Sequence, residues 1–162
     1  MKQRRTEPAE RDAAERYAIK ASEFLAEASD ALRVARWNAA GLAAIHSGIS
    51  SADAVLAAVA GIRSREPDHS AVVALLDERV AAFDASAKRQ LVGLLRVKNA
   101  VEYEDRLVRE AEAGTLVDDA RRLCRWAHAI VTPDKPLPPV AARGMIDAKG
   151  AGFERDEDDR PV

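Results

Sequence analysis

The chain has 162 residues, 48% of them hydrophobic and only 4% aromatic, which suits one domain with room for a core and a tail. Its single cysteine, Cys124, excludes an intrachain disulfide and a cysteine-based zinc cage and fits a reducing cytoplasm. The net charge of −2 hides a neutral body: residues 133–162 hold seven acids and five bases, leaving twenty of each in 1–132, so no bulk field favours phosphate.

The opening MKQRRTEPAERD has bases but no apolar run behind them, unlike a secretory signal, and residues 1–8 are expected to be flexible. Pro8 sits where a first helical turn needs no N–H. Apolar residues then recur at Ala14, Tyr17, Ala21, Leu25, Ala28, Leu32 and Ala35, predicting a first helix over about 9–36. Trp37-Asn38 reads as a break, with Asn38 placed to cap a second helix over about 38–60.

That second helix carries Leu42, Ile45, Ile49, Ala52, Leu56 and Val59 on one face, and Ala44, Gly48, Ser51 and Val55 on the other. Two apolar sides predict a central helix or a subunit contact. His46, Ser50 and Asp53 interrupt it at i, i+4 and i+7. A polar line of this kind needs partners, because an unpaired buried polar group costs about 1–3 kcal/mol. Gly61 stops the helix, and IRSREPDH reads as a loop.

Asp68 is placed to cap a third helix, about 69–82, with Val72, Leu75, Leu76 and Val80 inward. A fourth follows over about 84–99 through Ala87, Leu91, Leu94 and Leu95, with 100–108 irregular. The fifth, about 109–131, has Ala113, Leu116, Ala120, Leu123, Ala127 and Ile130 on its stripe, and TPDKPLPPV ends it. Residues 133–162 mix Pro, Gly and charge with few large apolar groups, which predicts a disordered tail. Strand-type alternation is absent, so the expectation is all-α: an antiparallel up-down bundle of four to five helices over 9–132. Apolar runs such as AVLAAVAGI are too short to cross a bilayer, which points to a cytoplasmic protein with no membrane partner.

The densest chemistry lies in LLRVKNAVEYEDR, residues 94–106. Lys98, Asn99, Glu102 and Tyr103 are candidates to complete a polar network with His46 and Asp53. Arg121, Arg122, Arg125 and His128 form a basic end to the fifth helix, either complementing its negative C-terminus or touching RNA. Trp37 and Trp126 are stacking platforms or, more in keeping with their helical positions, packing residues. The one Glu-x-x-His pair, Glu66 and His69, has a proline inside it and sits in a loop, so no metal and no cofactor are expected.

In order and spacing, ERYAIKASEFLAEASDAL, RWNAAGLAAIHSGISSADAVLAA, DHSAVVALL and LLRVKNAVEYEDR together resemble the HEPN-domain superfamily, in particular its small stand-alone bacterial members, over about residues 10–131. The resemblance implies a helical bundle that forms homodimers through its later helices. Many members are metal-independent ribonucleases, often in toxin–antitoxin or defence systems. Their signature is an arginine followed, after four to six residues, by a histidine. The histidine would exchange the 2′-hydroxyl proton of RNA while the arginine steadies phosphorane charge.

From Arg96 the matching positions are Val101, Glu102 and Tyr103, none a histidine. Arg96, Val101 and Tyr103 reproduce the Arg-four-His-x-Tyr spacing of a toxin subgroup with valine in the histidine's place. In that subgroup the tyrosine, here Tyr103, accepts adenylate from a nucleotidyltransferase partner. Literal Arg–His spacings occur at Arg63 with His69, and at Arg121 or Arg122 with His128. The expectation is a catalytically degenerate protein acting by binding protein or RNA. The alternatives are an active ribonuclease using His46 or His128, and a structural helical adaptor.

Overall fold

Small side chains let the first two helices meet closely. The computed structural model describes residues 5–10, 12–66 and 69–135, and its longest elements are α1 (Ala13–Arg33), α2 (Trp37–Ala60) and α5 (Glu110–Val131). Ala21 and Ala28 of α1 face Ala40 and Ala44 of α2, all at most 1% exposed. Ser47 of α2 is also fully buried, and its hydroxyl donates to the Ala21 carbonyl of α1 at 2.8 Å. That bond satisfies a group whose desolvation would otherwise be uncompensated.

The α1–α2 connection is a tight left-handed cap. Ala35 has φ 58°, the Arg36 N–H donates to the Ala31 carbonyl, and the Ala35 N–H donates to the Leu32 carbonyl. These two bonds make the Schellman motif, with alanine where glycine usually stands. So short a reversal lays α2 antiparallel on α1. The expected break at Trp37-Asn38 therefore falls slightly earlier. Asn38 is not the cap: it lies in the first turn of α2, and its Oδ1 accepts from the Val108 N–H at 2.8 Å.

α2 is the central helix, packed most extensively on α1 and then on α5, as its two apolar sides predict. By length and composition alone α2 as a whole is apolar enough to cross a membrane, although its uninterrupted apolar runs are short. Here that apolar surface is core, with Ile45, Val55 and Leu56 fully buried. Gly48 lies close under α4: a Cβ there would lie 2.4 Å from Leu94 Cδ1, so the buried Leu94 side chain would have to shift.

α3 (Ser70–Arg79) buries Val72, Leu75 and Leu76. α4 (Ala85–Tyr103) is capped by Asp84, whose carboxylate accepts from the Ser86 and Ala87 N–H groups at 2.9 and 2.8 Å. Trp126 of α5 packs at 5.7 Å from Phe83, and its indole donates to the Ala82 carbonyl at 3.0 Å. It thus ties the α3–α4 turn to α5, and Trp37 too packs against the core. Both tryptophans serve packing.

Among the described residues five helices carry the fold, in keeping with the all-α expectation, and a small antiparallel sheet of β1 (Thr6–Pro8) and β2 (Ile62–Ser64) is added to them. Thr6 pairs with Ser64, Glu7 with Arg63 and Pro8 with Ile62. Residues 6–8 are therefore not a free end, Pro8 does not open α1, and IRS is not loop. Gly61, at φ 64°, turns the chain out of α2 into β2, and Glu7 bridges Arg63 and Arg65 across the strands. At three residues each, these strands are too short for alternation to reveal them.

At the other end, Lys135 pairs with Glu15 of α1. The rest of the expected tail, residues 136–162, lies outside the described residues, as does Asp68, the expected cap of α3.

Candidate functional site

The charged stretch begins inside α4. Ala87, Leu91 and Leu94 face the core, which turns Arg89, Val92, Arg96, Asn99 and Tyr103 outward at helical spacing. The helix runs on to Tyr103, past the predicted stop at 99, because Lys98 and Glu102 pair at i, i+4 and Val101 packs against the core. Irregular chain occupies only 104–109.

α3 crosses beside this face and leaves a groove of about 510 Å³. His69, Ser70 and Val73 line one wall. Val92, Leu95, Arg96, Lys98 and Asn99 line the other. The three aliphatic residues make an apolar strip, with Val92 43% exposed, while Arg96 and Asn99 stand exposed at its rim. Arg96 makes no ion pair among the described residues.

The motif positions part company here. Arg96 and Tyr103 lie seven residues apart, so they share a face about 10 Å apart along the axis. Val101 lies about 140° round the helix from Arg96. It points inward and is half-buried. Tyr103 is 74% exposed, with the Lys98 ammonium 5.4 Å from its ring centroid. Lys98 holds the Glu102 carboxyl below its usual range, assisted by Tyr103 and His46 and opposed by burial.

The polar network divides. His46 stacks on Phe24 of α1 at 5.3 Å and acts on Glu102, so it joins Lys98 and Glu102 at one level of the bundle. Asn99 faces the groove instead. Asp53 belongs elsewhere: two turns further along α2, it feels Lys20 of α1 and Arg63 of β2, not Lys98 or Asn99. Burial pushes its carboxyl up to about 6, against the pull of those two cations, and it makes no hydrogen bond among the described residues. Seven helical residues span about 10 Å, so one line on α2 meets two sets of neighbours.

Arg121 pairs with Asp118, and Arg122 stands exposed beside Asp119, whose carboxyl burial pushes up while Arg122 and Arg89 pull it down. Arg125 is exposed and His128 half-buried near the end of α5. This basic end is thus partly neutralised by its own helix. Cys124 is a free, buried thiol whose pKa burial raises.

His46 and His128, the candidate stand-ins for the missing histidine, do not line the groove. The imidazole that does is His69, just before α3. By sequence spacing its partners are Glu66 and Arg63. Glu66 instead accepts from the Arg5 N–H at 2.8 Å, and Arg63 pairs with Glu7. Among the described residues no cluster of three or more His, Cys, Asp or Glu could hold a metal.

A second hollow of about 550 Å³ lies at the strand end of α1, lined by Glu7, Arg16, Tyr17, Lys20 and Arg63 among others. Its cations are largely committed, Arg16 to Glu10 and Asp12 and Arg63 to Glu7. The α3–α4 groove, with an uncommitted arginine beside an apolar strip, is the better ligand site. No family model matches the chain, and comparison with curated proteins finds no match.

Proposed function

We propose that this is a catalytically degenerate HEPN-type helical protein that acts by binding, and that its α3–α4 groove takes single-stranded RNA. The observation that carries this reading is the gathering of Arg96, Lys98, Asn99 and His69 around the strip of Val73, Val92 and Leu95, while Val101 faces the core. A phosphate would meet Arg96, an exposed sugar or base would lie on the aliphatic strip, and Asn99 would offer amide donors and an acceptor. A homodimer, a nucleotidyltransferase partner reaching the exposed Tyr103, and a regulatory, toxin–antitoxin or defence setting belong to the same proposal, on the resemblance alone.

Incubation of the purified protein with labelled RNA in EDTA tests the reading. Retention of intact RNA that weakens with rising salt is the expected result. A protein that retains no RNA is an adaptor instead.

One observation favours a second reading, an active ribonuclease: His69 shares the groove with Arg96. An imidazole there would take the 2′-hydroxyl proton as that oxygen attacks phosphorus, and Arg96 would meet the developing charge. Metal-independent cleavage abolished by both His69→Ala and Arg96→Ala, and blocked by 2′-deoxy substitution, would establish this reading over the first.

A further inference from the structure

The outer face of α4 is charged in one sense. Between residues 85 and 101 the sequence places Lys88, Arg89, Arg96 and Lys98 and no acid. Lys88 is paired with Asp77 and Lys98 with Glu102, which leaves Arg96, and Arg89 apart from its pull on Asp119, without an ion pair among the described residues. Between these two arginines lies Val92, opening onto the apolar strip. An occupant that satisfies this surface needs an apolar group followed by closely spaced anions.

The chain carries such a segment. Phe153 is followed by Glu154, Asp156, Glu157, Asp158 and Asp159, with Arg155 the one base among them. We propose that residues 153–159 dock on the α3–α4 groove of their own chain, with Phe153 over Val73, Val92 and Leu95 and the carboxylates at Arg96 and Arg89.

The reach is sufficient. Lys135, held at Glu15, is the last described residue, and the eighteen residues from there to Phe153 can extend to about 60 Å. α4, with 19 residues, is about 28 Å long. Attachment to the same chain gives the segment an effective concentration on the order of millimolar, enough for a weak contact to form. The other basic run, Arg121, Arg122 and Arg125 on α5, is partly neutralised by Asp118 and Asp119 of its own helix. Docked there, it would act as a built-in polyanion that any other ligand of the groove must displace. The contact depends on the groove alone and holds whether or not RNA is the other ligand.

The test uses the full chain with a nitroxide on Ala151→Cys, Cys124 being buried and left unlabelled. Relaxation of valine and leucine methyls is read at low salt. Docking broadens Val73, Val92 and Leu95 several-fold more than Val34 and Val59, two exposed valines that do not line the groove. It also predicts that the difference disappears in about 0.5 M salt, where screening falls to a few Å, and in a chain with the five acids changed to Asn or Gln. Even broadening across all valines overturns the proposal. So does broadening that arises only when a nitroxide-bearing copy is mixed with a separate isotope-labelled copy, because the contact would then join two chains. RNA binding measured on the same samples keeps the two proposals apart: a segment that stays away while RNA is retained overturns the docking alone.

Discussion

Along the α1–α2 seam the facing residues are Ala21, Ala28, Ala40 and Ala44, with Ser47 bonded across to the Ala21 carbonyl. Between α3 and α4 the facing residues are Val73, Val92 and Leu95, with long cations at the rim. Small side chains and a hydrogen bond across the seam close the first interface. Branched side chains and unpaired charge hold the second one open. The lesson is that one bundle closes one helix pair tightly and leaves a groove at another, and α4 serves both the core and the groove, with Leu94 inward and Arg96 outward.

The inner side of α4 gives the largest expected effects. Leu94→Ala should destabilise by about 2–5 kcal/mol in urea unfolding, through lost burial and the cavity left behind. Gly48→Ala alone should cost about 1–3 kcal/mol, because its methyl would press on Leu94 Cδ1. In the Leu94→Ala background the same change should instead be neutral or stabilising, since the methyl then has room. Additive losses would break the contrast between a closed interior and an open exterior.

Asp53 gives the next effect. Its folded pKa of about 6 exceeds its unfolded value, so the folded state holds the proton more tightly. Its contribution is fully present below about pH 4 and is lost as pH rises through 6. Asp53→Asn should therefore gain on the parent between pH 4 and pH 7, by about 1–3 kcal/mol. A constant difference between the two proteins across that range would mean the carboxylate is solvated.

A smaller gain should come from Ala35→Gly. Alanine in the left-handed region costs about 1–2 kcal/mol, and glycine relieves it at some loss to unfolded-chain entropy. Thermal unfolding should show a rise of a few degrees. The smallest effect belongs to the outer face: Arg96→Ala should change stability by less than about 0.5 kcal/mol, because that side chain holds nothing together.

The helices were legible because apolar spacing is set by core contact. Val72, Leu75 and Leu76 of α3 and Leu91 and Leu94 of α4 all face inward as their periodicity requires. What the spacing did not contain was short or depended on partners far along the chain. β1 and β2 are three residues each, and the Schellman turn carries Ala35 in place of the glycine that would have signalled it. Asn38 looked like a cap until Val108, seventy positions away, supplied its N–H.

The site was half legible. Arg96, Lys98 and Asn99 stood out on one helix, whereas the opposite wall of His69, Ser70 and Val73 is placed by the path of the chain after β2. Asp53 misled for a related reason: shared spacing on α2 does not imply shared neighbours.

The central claim is that α4's outward face binds while its inward face holds the fold. Fluorescence anisotropy of a short labelled RNA, titrated with the parent protein, Arg96→Ala and Arg125→Ala at equal verified stability, tests it most directly. The account predicts about a tenfold weaker affinity for Arg96→Ala, as expected for a lost charge-assisted phosphate contact. It predicts a much smaller change for Arg125→Ala. Equal affinity of Arg96→Ala and the parent, with the loss appearing in Arg125→Ala, would move the binding surface to α5 and contradict it.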